Sequence, residues 1–226
     1  MNKNKTPIII GIGGLAMSGK DTFVKIAKKI LKYNGYSCIK LAFADALKEE
    51  LNTFTRKYYN VSVWTNDTKE KNLIRRSMVS HGCIMRDIDA KYWIKKIDQA
   101  IENIHFNEDI VFIGDCRFPN EVDWVHEKWG GWVVHLKKYT IMEVCEGHGH
   151  YEFEKVFDKA PNEEEAKNDP LVEVQADFKL ELENVIEREK LKGNIITADD
   201  LLDSNYLIEE ITKCLHHCPF LTLAKP

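Results

Sequence analysis

No apolar run in this 226-residue chain approaches the ~18 residues that a membrane-crossing helix needs. No basic run is interleaved with aromatics, the footprint expected of a nucleic-acid surface. Both partners are excluded from the reading. Six cysteines stand at 38, 83, 116, 145, 214 and 218. Neither Cys145-x-x-His148-x-His150 nor Cys214-x-His216-His217-Cys218 matches a familiar zinc-ligand spacing. Lys3 and Lys5 precede an apolar run, but Ser-Gly-Lys-Asp follows it where a signal peptide would carry a small-residue cleavage site. Free thiols in a reducing cytoplasm are therefore expected. Arginine is missing altogether between residues 139 and 170.

What is present points one way. With 44% hydrophobic residues the chain can bury one good core, so residues 1–226 are expected to form a single domain with insertions. Charge is unevenly spread: residues 1–100 hold 19 Lys and Arg against 9 Asp and Glu, and the rest holds 13 against 27. The basic part contains Gly14-Leu15-Ala16-Met17-Ser18-Gly19-Lys20-Asp21-Thr22. This is the phosphate-binding pattern G-x-x-x-x-G-K-[ST], with Asp21 in place of the hydroxyl residue. Pro7–Gly13 upstream suits a buried parallel strand. Phe23, Ile26, Ala27, Ile30 and Leu31 downstream recur at helical spacing. Backbone N–H groups at such a turn wrap phosphate oxygens, and Lys20 adds a full positive charge. A nucleoside triphosphate site follows.

Gly11-x-Gly13-x-x-Ala16 also fits the dinucleotide fingerprint. That register would bury Ser18, Gly19 and Lys20 inside the helix, where glycine costs about 1 kcal/mol relative to alanine. It also wants an acid roughly 20 residues on, and Asp45 lies late.

Alternating strands and helices predict an α/β fold: an open parallel sheet flanked by helices on both faces. Ser37–Ala44 reads as a strand with Asp45 as the next N-cap, and 69–104 as mostly helical. Asp109–Asp115 reads as a strand, Pro119 as the first turn of a helix, and Trp132–Leu136 as a strand. Residues 139–170 lack clean periodicity and read as a lid-like insertion. Asn194–Thr197 is expected to be a short final strand, followed by a helix over Asp203–Leu215.

Asp115-Cys-Arg117-Phe-Pro-Asn-Glu121 closes the third of these strands. In an open parallel sheet the carboxyl ends of strands face the ligand crevice. Asp115 then stands where an acid orients Mg²⁺ or its waters, Arg117 is set to fork onto a phosphate, and Glu121 to hold that guanidinium.

Together these segments resemble the deoxynucleoside monophosphate kinases of tailed bacteriophages. The likeness extends through Phe43-Ala-Asp45-x-Leu47-Lys48 and Gly82…Arg86…Asp89…Trp93, covering roughly residues 7–138. The phosphate loop, Ser-Gly-Lys-Asp included, is also similar to that of animal-type phosphomevalonate kinases. The resemblance implies phosphoryl transfer from Mg·ATP to a deoxynucleoside 5′-monophosphate, in the host cytoplasm, by a chain that dimerises in the family.

On that reading Leu15–Gly19 and Lys20 hold the ATP phosphates, and Thr22 or Asp21 seats Mg²⁺. Asp21 has three further readings: contact with a metal-bound water, a hydrogen bond to an arginine, or an acid that suits the helix dipole. Arg117 is the first choice for the acceptor phosphate and Arg86 the second. Arg75 and Arg76 are set to cover the acceptor, and Trp93 to stack on a base. Kinase lids commonly bring arginines onto the transferring phosphate. With none in 139–170, Lys137 and Lys138 are the substitutes. A nucleotide-sensing protein without an acceptor is the reading from another class.

Overall fold

The computed structural model describes residues 6–104, 108–145 and 151–224. In chain order the elements are β1 (Ile8–Gly13), α1 (Lys20–Tyr33), β2 (Cys38–Leu41), α2 (Phe43–Tyr59), α3 (Thr68–Ile88), α4 (Tyr92–Asn103) and β3 (Ile110–Cys116). There follow α5 (Pro119–Trp129), β4 (Trp132–Cys145), β5 (Tyr151–Phe157), α6 (Glu163–Gln175), β6 (Phe178–Glu183), α7 (Val185–Leu191) and α8 (Asn205–His216). The chain divides into two compact units, one of Met1–Lys40 with Glu108–Pro226 and one of Leu41–Asn107.

The first unit is built on a sheet in which β1 lies between β3 and β4, with β2 beyond β3. β1 pairs parallel with both neighbours, Ile10 opposite Phe112 on one side and Trp132 on the other. Val134 faces both Ile12 and Phe178, so β6 runs parallel along the opposite edge of β4. Tyr139 pairs with both Phe157 and Glu183, which puts antiparallel β5 on the same edge of β4 as β1, further along. The β4–β5 hairpin therefore rises from the end of the sheet that carries the phosphate loop. This is an α/β architecture, a mostly parallel open sheet with helices on both faces.

Period-two alternation decides which side chains meet which helices. Ile10, Ile12, Phe112, Val134 and Leu136 bury against α1 and α8 through Phe23, Ile26, Leu31, Leu207 and Ile211. Each contributes about 1.5–3 kcal/mol on full burial. The opposite face of β1 carries Gly11 and Gly13. A methyl on Gly11 would stand 3.4 Å from Val125 of α5, and one on Gly13 only 2.8 Å from Val172 of α6. Missing side chains let both helices close on the strand.

Several sequence expectations are corrected. Helix α2 starts at Phe43 with Ala42 at its N-cap, so Asp45 lies in the first turn and is not the cap. The 69–104 stretch is mostly helical as expected, in two helices separated where Asp89 Oδ1 accepts from the Lys91 N–H at 2.9 Å. β4 continues past Leu136 to Cys145, so the lid-like insertion begins as a hairpin arm. Asn194–Thr197 is not a strand; among the described residues β6 is the last one.

The second unit packs α2, α3 and α4 together. Val61, Val63 and Ile74 form a small core, and the Trp93 indole donates to the Gly82 carbonyl at 3.2 Å. Glu50 gathers the Tyr92 hydroxyl at 2.7 Å, His81 Nε2 at 2.9 Å and the Lys96 ammonium at 2.9 Å.

Candidate active site

The turn between β1 and α1 depends on two glycines in the left-handed region. Gly14 has φ 124°, and a Cβ there would stand 2.4 Å from the Leu136 carbonyl oxygen. Gly19, at φ 96°, is the N-cap of α1, and Lys20 is its first residue. Ser18 and Gly19 therefore precede the helix, which removes the dinucleotide register. Ser18 is buried, and its hydroxyl has no protein partner. A loop with an unsatisfied buried hydroxyl fits an oxygen-rich ligand. Gly14→Ala is expected to cost several kcal/mol, through both strain and the carbonyl clash. A fall in Tm together with loss of nucleotide binding would check this; an unchanged Tm would refute it.

The Lys20 ammonium curls back onto its own loop, donating to the Gly14 and Leu15 carbonyls at 2.6 Å each. Burial, and then the nearby Arg117, lower its pKa to about 8, against the opposing pull of Glu165, Asp115 and Asp169. A cation this close to losing its proton has less negative charge around it than it can use.

The loop amides are also engaged. The Ala16 N–H donates to Glu165 Oε2 at 2.7 Å, and the other oxygen of that carboxylate accepts from Arg117 Nη1 at 3.3 Å. Glu165 belongs to the first turn of α6, far along the chain from the loop. One carboxylate thus bridges a loop amide and the strand-end arginine. Asp115, half-buried at the end of β3, also favours the charged form of Lys20.

Asp21 is held by Lys40, whose ammonium contacts its Oδ1. Burial would raise the Asp21 carboxyl, but that lysine holds it below its usual range. The Lys40 stem lies across Gly114, where any Cβ would stand 2.4 Å from Lys40 Cε. The position usual for a metal-binding hydroxyl therefore carries a lysine-paired acid; of the readings open for Asp21, the basic partner is a lysine and not an arginine. Thr22 is half-buried in the same turn. Among the described residues no three His, Cys, Asp or Glu side chains are grouped to hold a metal. Mg²⁺ usually keeps several waters and takes one or two carboxylates plus substrate phosphates. The oxygen donors Asp21, Thr22 and Asp115 fit that demand.

A family model described as phosphomevalonate kinase matches residues 12–131, more than half of the chain. The chain belongs to that family. Its membership carries ATP-dependent phosphoryl transfer as the reaction class, with Mg·ATP as the implied donor. Curated proteins give no match. Among solved structures, TT1252 from Thermus thermophilus is similar at 15% identity over 93% of this chain and 99% of that one, with a TM-score of 0.38. APE1195 is similar at 14% identity over 95% and 96%, with a TM-score of 0.37. A gluconokinase from Sinorhizobium meliloti 1021 is similar at 13% identity over 94% and 96%, with a TM-score of 0.35.

The remaining expected residues distribute as follows in this kinase. Lys138 reaches the loop, donating to the Met17 carbonyl at 2.8 Å, and pairs with Asp158 at 3.1 Å. Lys137 pairs with Glu173 of α6 at 2.7 Å. Both line a cavity of about 350 Å³ with Leu15, Ser18, Glu165 and Asp169. Glu121, expected to steady the Arg117 guanidinium, is buried and accepts from the Arg117 and Phe118 backbone N–H groups at 2.7 and 3.1 Å. It fixes the main chain at the start of α5, while Glu165 meets the guanidinium.

In the second unit Arg75 and Arg76 are exposed on α3, Arg86 is half-buried near its end, and Asp45 pairs with Lys48 at 3.4 Å. Trp93 is 2% exposed, with its ring against His81 and Tyr92, so its face is closed to a base. His148 and His150 lie outside the described residues. No helix among the described residues is long and apolar enough to cross a membrane. Sequence reading missed Lys40 and Glu165. Lys40 was visible as the lone charge in an apolar strand; Glu165 looked like one acid in a solvated run.

Proposed function

We propose that the chain transfers the γ-phosphoryl group of Mg·ATP to the phosphate of a small phosphomonoester, giving a diphosphate and ADP. An oxygen of the acceptor phosphate attacks the γ-phosphorus while the bond to the β–γ bridging oxygen breaks, and ADP leaves with those electrons. Positioning and neutralisation of charge carry most of the rate in such transfers. The observation that carries the reading is the shared carboxylate: Ala16 N–H and Arg117 Nη1 both hold Glu165. A loop amide and an arginine that hold one carboxylate between them present donors of the kind that hold phosphate oxygens. Lys20 and the loop amides would hold the donor, and Arg117 the acceptor. Asp21, Thr22 and Asp115 would hold Mg²⁺, which when bound offsets the charge of the phosphate oxygens.

For the acceptor, a deoxynucleoside 5′-monophosphate is our first reading. It rests on Asp115-x-Arg117-x-x-x-Glu121 and the Phe43–Lys48 stretch. Phosphomevalonate is the second, favoured by the family match over 12–131.

A coupled ADP-release assay decides between them, with the four common deoxynucleoside monophosphates, their ribose counterparts and phosphomevalonate as acceptors. Turnover on a deoxynucleotide that Lys20→Ala abolishes is the expected result. Turnover on phosphomevalonate alone would establish the second reading, and ATP binding without any turnover would sink both.

A further inference from the structure

Helix α6 is held to the phosphate loop almost entirely by charge. Val172 is its one buried side chain among the described residues, and it lies in the C-terminal half. Pro170 lies inside the helix just before it, where it removes a backbone donor and favours a bend. The N-terminal half has no apolar anchor. It is fastened by Glu165 to Ala16 and Arg117, and by Asp169 Oδ1 to the buried His135 Nε2 at 3.0 Å. On the far side of the proline, Glu173 takes Lys137. Of these carboxylates, Glu165 occupies the loop amide and the arginine that the phosphoryl-transfer reading gives to phosphates.

Resting on the phosphoryl-transfer reading above, we propose that Glu165 is a built-in stand-in for phosphate. It closes the loop, and a triphosphate enters by displacing it as the first turns of α6 swing away about Pro170. The device lowers apparent nucleotide affinity by the fraction of molecules that stand open. It also couples nucleotide entry to movement of the segment that follows the β4–β5 hairpin. Val172, packed on Gly13, keeps the rest of the helix in place.

The test is calorimetric titration of the full chain with Mg·ATP and with inorganic tripolyphosphate, comparing wild type, Glu165→Gln, Glu165→Ala and Lys20→Ala. Both Glu165 variants are expected to bind about tenfold tighter than wild type, and Lys20→Ala to bind far more weakly. Equal binding by wild type and the Glu165 variants would overturn the proposal and leave the phosphate-loop reading standing. Weaker binding by those variants in Mg²⁺ would also overturn it, making Glu165 a metal or ligand contact. If none of the four proteins binds either ligand, the phosphate-loop reading itself fails.

Hydrogen exchange on wild-type protein gives a second readout that needs no variant. Saturating tripolyphosphate is expected to speed exchange in 163–169 while slowing it in 14–20. Unchanged or slower exchange in 163–169 would refute the displacement.

Discussion

Lys20→Ala is expected to lower kcat at least about 10³-fold, because the substitution removes the one full charge set inside the phosphate loop. Its titration makes the prediction sharper. The Lys20 pKa is about 8 in the folded protein, lowered by burial and by Arg117, against an ordinary 10.5. Below pH 8 the ammonium is charged in both folded and unfolded chains. Between about 8 and 10.5 the unfolded chain holds the proton more tightly, so native stability rises with pH across that window. Phosphate binding moves the other way. Above pH 8 the free protein must take up a proton to present its cation, and affinity falls by up to about tenfold per pH unit.

The same group therefore makes the protein more stable and a poorer binder as pH rises. Thermal unfolding and nucleotide titration at pH 7.5 and 9.5, in wild type and Lys20→Ala, test both signs. Wild type should gain Tm relative to the variant and lose affinity for Mg·ATP. A wild-type Tm that tracks the variant's across this range would mean that Lys20 is not the desolvated cation described.

Much of this site was legible because its demands are local. Gly14, Gly19 and Lys20 are fixed by what a strand-to-helix turn around phosphate needs, and the left-handed glycines follow from it. Asp115 and Arg117 were legible because the apolar run Ile110–Ile113 leads directly into them. β6 escaped for a physical reason. As an edge strand bonded on one side to β4, it exposes Lys179 and Glu181 between buried Leu180 and Leu182. It alternates where a central parallel strand would run continuously apolar. Glu165 escaped for a different one: its partner Ala16 lies 149 residues away in sequence. Glu163-Glu164-Glu165 suits any helix N-terminus, and only the fold shows that one of the three turns inward.

Arg117→Ala is expected to carry the second large effect, a fall of about 10²-fold in kcat/KM for the acceptor. Arg117→Lys should recover only part of it, since an ammonium supplies a point charge without the planar fork. The loss should fall mainly on the acceptor, because Lys20 and the loop amides remain to hold the donor. Removing the guanidinium should also raise the pKa of Lys20, which Arg117 helps to depress. The alkaline limb of Mg·ATP binding should then move to higher pH in the variant, a shift that a merely structural arginine would not produce. It would also leave Glu165 with one fewer partner, loosening α6 and favouring donor entry. Initial rates with acceptor varied at saturating ATP, together with ATP titrations from pH 7 to 10, separate these effects. A variant whose ATP affinity collapses while its acceptor KM stays constant would move Arg117 from the acceptor side of the reaction to the donor side.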